Sequence, residues 1–275
     1  MVFRWLPLIL LGCSTPETRA VDFLARESAA WRVQNGCFSC HNNGDAARAL
    51  FAAGRDVDPA TLAFLRRPEA WKDNGVDAEF SDKKLAALQF AFALAASGER
   101  GEALRRAAQL IQRDPDGSFS VDAGGLPGSP VTYGRTLATV VARRVLLLAG
   151  DDIGATDAWL KARRPRIPLD AGALLLLGPR EDCVELLRRT QLPDGSWDGE
   201  VFDTAVALLG LANTEEVELQ RRGREFLLRA QYTDGSWPET TRPSGAESYA
   251  QRISTSAWAA LALLTLERRL NVSGR

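Results

Sequence analysis

Two textures of apolar pattern alternate along this chain, and the alternation predicts its architecture. Residues 133–148, 202–211 and 253–266 are small-residue and leucine segments, apolar on nearly every side. A helix of that texture is buried on several faces. The segments ahead of them are apolar on one side only. Glu185, Arg188 and Arg189 mark the polar face of one, and Arg221, Arg222, Arg224 and Glu225 that of another. Between the two textures stand Asp116-Gly117, Asp194-Gly195 and Asp234-Gly235, and Asp-Gly is a turn signal. Thr204 and Thr255 lie near two inner-segment starts, where a hydroxyl satisfies free backbone amides. Each unit therefore reads as outer helix, turn, inner helix. Further pairs read alike: 62–71 with 85–96, 155–163 with 171–177, and 21–33 with 45–53.

The turns repeat one sentence. Gln191 runs into Asp194-Gly195-Ser196-Trp197, and Gln231 into Asp234-Gly235-Ser236-Trp237. A weaker copy runs from Gln112 to Asp116-Gly117-Ser118-Phe119. Asp194 and Asp234 are 40 residues apart and Asp116 and Asp194 are 78 apart, close to two steps. A period of this size marks stacked supersecondary units that bury a face only against neighbours. Counting 78 back from Asp116 reaches residue 38, so Cys37-Phe38-Ser39-Cys40-His41 occupies a turn position.

The Gln-x-x-Asp-Gly-Ser-Trp segments resemble the QW repeats of squalene–hopene cyclases and of the prenyltransferase/squalene-oxidase repeat family. The resemblance covers residues 20–270 and is specific at 191–197 and 231–237, with a degraded copy at 112–119. It implies an all-α chain, an α/α toroid of about five to six helical hairpins in two concentric rings. It also implies that Gln191, Trp197, Gln231 and Trp237, with Gln112 and Phe119 in the degraded copy, are structural staples. The related cyclases protonate an alkene with Asp-x-Asp-Asp. The nearest string here is Asp56-Val57-Asp58-Pro59, which lacks the last aspartate and reads as a helix cap before Pro59. The prenyltransferase zinc site needs a histidine downstream, and none follows His41. In such a ring the inner-helix starts converge on one mouth. Tyr133, Arg135, Thr136, Asp203, Ser254 and Thr255 are the candidates for lining a cavity there, with 122–132 as a lid; helix capping is the alternative role for these residues. A glycan-active reading would use Trp197, Trp237 and Trp258 as stacking surfaces and Glu200 and Asp203 as a carboxylate pair.

Cys37-Phe38-Ser39-Cys40-His41 carries the other chemistry. C-x-x-C-H is the attachment sequence of c-type haem: two thiols bond the porphyrin vinyls and the adjacent imidazole ligates iron. Cys37, Cys40 and His41 are thus the candidate haem c site, with His41 the metal ligand. The chain has one histidine, and its one methionine is Met1. His/Met or bis-His ligation within one mature chain is therefore excluded. The iron would be five-coordinate or would take a lysine; Lys72, Lys83 and Lys84 are nearest in sequence. Two alternatives stay open. One is a Cys37–Cys40 disulfide on a non-catalytic binding toroid. The other is a Cys₃His zinc set with Cys183, which the adjacency of Cys40 and His41 disfavours.

Compartment is read from the first residues. Arg4 precedes an apolar run, too short to span a bilayer, that ends Leu10-Leu11-Gly12-Cys13. The run resembles a lipoprotein signal. It implies a signal peptide over 1–12, lipidation of Cys13, a tether over 13–20 and the toroid over 21–275. Export would place the protein on the periplasmic face of a bacterial membrane or at the cell surface, held by its lipid anchor alone; Ser14 permits outer-membrane sorting. The composition, 45% apolar and 25% charged with a formal charge of −1, is that of a globular chain without a basic field for nucleic acid. The expected partners are a redox partner or a small apolar ligand.

Overall fold

The computed structural model describes residues 14–73, 83–120, 133–240 and 248–273. Their regular structure is helical, and the β feature among them is one isolated bridge between Trp197 and Glu200. The outer helices are α1 (Pro16–Asn35), α3 (Pro59–Leu65), α5 (Glu102–Gln109), α7 (Gly154–Ala162), α9 (Glu181–Thr190) and α11 (Val217–Ala230). The inner layer starts with a π-helical turn, Cys40–Asp45, continuous with α2 (Ala46–Ala52). It continues with α4 (Lys83–Ala96), α6 (Gly134–Ala149), α8 (Pro168–Leu175), α10 (Val201–Leu211) and α12 (Tyr249–Ser273). Each inner helix packs on the next, and α12 packs back onto the π-turn and α2. The chain is an α/α toroid, and its described residues form six helical hairpins.

Burial follows the two sequence textures. Every residue of α8 is buried, whereas α9 buries Cys183, Val184, Leu186 and Leu187 and turns its charged side outward. Close approach of the inner helices depends on small residues. A Cβ on Gly210 would lie 2.4 Å from the Gly172 carbonyl oxygen, so glycine lets α8 and α10 cross backbone to backbone.

The repeated turns are clamps. In each, the Asp side chain accepts the Ser amide two residues on: Asp116 to Ser118 at 3.0 Å, Asp194 to Ser196 at 2.9 Å, Asp234 to Ser236 at 2.9 Å. The aromatic amide that follows donates to an inner-helix hydroxyl: Phe119 to Thr139, Trp197 to Thr204, Trp237 to Ser256. Both tryptophan rings are fully buried and donate Nε1 to the outer helix behind them, at Leu187 and Leu227. Gln191 Nε2 donates to the Leu219 carbonyl of α11, and Gln231 Nε2 to the Pro16 carbonyl of α1. This last bond ties the final repeat to the first helix and helps seal the ring, together with the ion pair of Arg224 with buried Glu17 at 3.1 Å.

Two expectations shift. Gln112 is exposed, and the tie in its repeat is made by Arg113, whose Nη1 donates to the Asp152 carbonyl at 2.8 Å and to Thr156 at 3.3 Å. Counted from the turn aspartate, Arg113 and not Gln112 stands at the position of Gln191 and Gln231. The second concerns the tether. Helix α1 begins at Pro16 with Thr15 as its N-cap, and Glu17 and Ala20 are already buried. Residues 16–20 therefore belong to the toroid. Cys13 and the signal over 1–12 lie outside the described residues, as does the loop 122–132.

Candidate functional site

The C-x-x-C-H turn joins α1 to the first inner helix. Helix α1 ends on Gly36, whose left-handed backbone (φ 65°) reverses the chain. Phe38 then stacks on Phe64 at 4.2 Å, fixing the loop between the cysteines against α3. Ser39 caps the π-turn that opens at Cys40. Its amide donates to Asn43 Oδ1 at 2.9 Å, while the Asn42 amide reaches Ser39 Oγ at 3.5 Å. Asn43 Nδ2 donates to the Ser28 carbonyl at 2.9 Å and to Thr61 Oγ1 at 3.2 Å. Cys37 and Cys40 are thiols and half-buried. Donor chemistry and partial access fit the demands of thioether attachment.

Cys183 stands apart, buried on α9, where loss of hydration pushes its thiol up to about 12. Among the described residues no group of three His, Cys, Asp or Glu side chains is placed to hold a metal ion. Lys84 is committed elsewhere: its ammonium lies 4.6 Å over the Phe119 ring and 3.7 Å from Asp114.

The π-turn ends at Asp45, in the centre of the ring. Asp45 is fully buried. Its Oδ1 accepts from the Tyr133 hydroxyl at 2.8 Å and pairs with Arg48 at 3.0 Å, and its Oδ2 shares a 2.6 Å hydrogen bond with Ser254. Trp258 Nε1 donates to the Tyr133 oxygen at 3.2 Å. Arg48 is sandwiched by aromatic faces, 3.8 Å from Phe92 and 4.3 Å from Trp258, a cation–π arrangement. Phe202 closes the cluster against Tyr133 and Trp258. Burial, and then the Asp45 charge, hold the Tyr133 phenol well above its ordinary range. The middle of the ring is thus filled at this level by a salt bridge wrapped in aromatic rings.

The candidate lining residues divide. Tyr133 and Ser254 meet on Asp45, as convergence of inner-helix starts demands. Arg135 instead reaches outward to Asp116 and Ser118, bracing the repeat turn, as Arg252 does at Asp234 and Ser236. Thr136 accepts from Arg163 at 3.3 Å, and Thr255 accepts the Thr240 amide at 3.1 Å. Asp203 is buried in the first turn of α10. The tryptophans of the glycan reading are buried to 1% exposure or less, so no sugar stacks on them. Asp58 is a cap: Oδ2 accepts the Thr61 amide at 2.9 Å ahead of Pro59.

Asp45 and Arg48 were not singled out by the sequence reading. Their signal is two opposite charges three residues apart in an otherwise small and apolar inner helix, a pattern that buries a pair and does not expose a face. On the outside, a groove of about 510 Å³ lies along α6, α7 and the start of α9. Its charges are largely paired, Arg143 with Asp157 and Arg164 and Arg180 with Asp182.

Comparison with known proteins agrees with the fold. The chain is 37% identical over 101 residues to the lanosterol synthase erg7A of Aspergillus fumigatus, and 33% identical over 98 residues to the lanosterol synthase ERG7 of Saccharomyces cerevisiae. The repeats are cyclase-like. These matches cover 32% and 31% of this chain but 13% of each enzyme. No protein-family model matches the chain.

Proposed function

We propose that this protein is an exported, lipid-anchored envelope protein that carries covalent haem c on the first turn of a cyclase-like toroid, in a redox or small-ligand-binding role. The observation that carries the reading is the C-x-x-C-H string set in the turn between α1 and the inner ring, with both thiols half-buried. Cys37 and Cys40 would hold the porphyrin and His41 would ligate the iron. The bound group would supply one-electron or small-ligand chemistry. With no second histidine, and no methionine after Met1, the chain leaves the sixth position free of the usual ligands, which favours ligand binding over fast electron shuttling.

The toroid acts as a scaffold in this reading. The Asp-x-Asp-Asp acid of cyclase chemistry has no counterpart in the sequence. The repeat staples supply rigidity and no reacting group.

Expression with a cytochrome c maturation system tests the proposal. A Soret band that survives acid–acetone extraction, and is lost in the Cys37→Ser, Cys40→Ser double variant, is the expected result. A colourless wild-type protein under the same conditions overturns it and leaves a binding scaffold with a Cys37–Cys40 disulfide.

A further inference from the structure

We infer that Asn43 is a positioning residue for the C-x-x-C-H turn, because its amide holds the backbone between the two cysteines while bolting that backbone to both flanking outer helices. This rests on the haem reading for its purpose, although the geometry stands without it.

A helix N-terminus leaves amides without partners, and the usual remedy is a reciprocal cap. The N-cap hydroxyl accepts an amide inside the first turn, and a side chain three residues on reaches back to the N-cap amide. Here Ser39 is the N-cap, and the side chain that returns to its amide is Asn43, four residues on. The displacement by one residue follows from the π-turn, whose wider winding brings the fourth residue where an α-helix brings the third. Ser39 lies between Cys37 and Cys40. Fixing its amide therefore fixes the path that sets the two sulfurs relative to one another.

The other end of the Asn43 amide fixes that path to the body of the protein. Nδ2 is shared between the Ser28 carbonyl on α1 and Thr61 Oγ1 on α3. Thr61 is held in turn by Asp58 Oδ2, which accepts both its amide and its hydroxyl at 2.9 and 3.0 Å. Asn43 is fully buried, so these bonds do not compete with solvent. An acceptor aimed at Ser39 and a donor aimed at two different helices are what asparagine supplies and no apolar or singly functional side chain does. The turn is thereby set before any group is attached to it.

The test uses the full chain produced without haem, so it reads the turn independently of haem attachment. The dithiol–disulfide equilibrium of Cys37 and Cys40 is measured in glutathione buffers for wild type, Asn43→Ala and Thr61→Val. Thr61→Val removes one outer bolt and leaves the Ser39 bond in place. The expected result is that Asn43→Ala makes the disulfide roughly tenfold easier to reduce, about 30 mV for a two-electron couple, while Thr61→Val stays within twofold of wild type. A purely structural role would lower the melting temperature of both variants and leave the equilibrium unchanged. An Asn43→Ala equilibrium within twofold of wild type overturns the inference. Should Asn43→Ala fail to fold, amide exchange in the wild type decides. A Ser39 amide as protected as core-helix amides supports the inference, and exchange at the rate of an open loop overturns it. Failure of haem attachment in the wild type would remove the haem reading and leave these outcomes untouched.

Discussion

Asp45 ties three of the inner elements together. Its carboxylate touches α6 through Tyr133, α12 through Ser254 and its own helix through Arg48. Replacing one member of a buried charge pair strands the other, at a typical cost of about 3–5 kcal/mol. Asp45→Ala should lose stability on that scale in denaturant unfolding. Tyr133→Phe, which removes one hydrogen bond to a charged group, should lose about 1.5–3 kcal/mol. Equal and small losses would mean the cluster is more hydrated than its burial says. The thiols give a second check at this scale. Burial raises the Cys183 thiol to about 12, so at pH 8 it stays protonated and closed to solvent. Alkylation of the native, haem-free protein under reducing conditions should mark Cys37 well before Cys183, as peptide mass mapping would reveal. Tyr133 and Ser254 stand at inner-helix starts, which the sequence pattern expects to converge on one mouth of the ring, and their side chains meet on the Asp45 carboxylate. Arg135 takes the alternative role, bonding the repeat turn, because a long cation at a helix start serves a turn carboxylate as readily as a cavity. Asp45 and Arg48 were not legible as a centre because the sequence shows a charge pair within the inner segment 45–53 but not the side chains that other helices bring to it.

The unit of construction at the next scale is the Asp-Gly-Ser-aromatic clamp. Each turn glycine has a positive φ and presses on the next outer helix: Gly235, at φ 94°, would put a Cβ 2.2 Å from the Arg19 carbonyl oxygen. Gly235→Ala therefore combines left-handed strain with a backbone collision at the ring seam, and it should cost about 3 kcal/mol or more. Gly36→Ala, at φ 65° with nothing within 4 Å of its Cβ, should cost only about 1 kcal/mol. Thermal melts of the pair check the contrast. The clamps also predict an acid limit. The Ser196 hydroxyl and then its amide stabilise the Asp194 carboxylate, holding it below the ordinary aspartate range; Asp116 is lowered by the same two bonds from Ser118. A depressed folded value means the contribution is complete above the unfolded pKa and disappears as pH falls through the folded one. Stability should therefore decline below about pH 4, and Asp194→Asn should flatten that decline. An unchanged acid profile in the variant would exclude the turn carboxylate as its source. The clamps were legible because their spelling repeats. The shift from Gln112 to Arg113 was not, since one inserted residue before the turn moves the register without erasing the glutamine.

Over the whole molecule, the described hairpins close on themselves through α1. The Gln231–Pro16 bond, the Arg224–Glu17 pair and the packing of α12 on the π-turn all join the first unit to the last. Closure makes the C-x-x-C-H turn part of the ring seam, held by α1, α3 and the inner layer together. It also explains why the count of hairpins was hard to read: the first inner helix opens as a π-turn and the second outer helix breaks at Pro68 into a short 3₁₀ segment, so both blur the period that the later repeats keep. No helix among the described residues is long and apolar enough to cross a membrane. On the proposed haem function, the chemistry lies in the one turn that holds Cys37, Cys40 and His41. Intact-protein mass spectrometry of the chain, made with a cytochrome c maturation system, tests this most directly. The expected result is a wild-type mass heavier by one haem, surviving denaturation, and an unmodified mass for the Cys37→Ser, Cys40→Ser variant. An unmodified wild-type mass would contradict it.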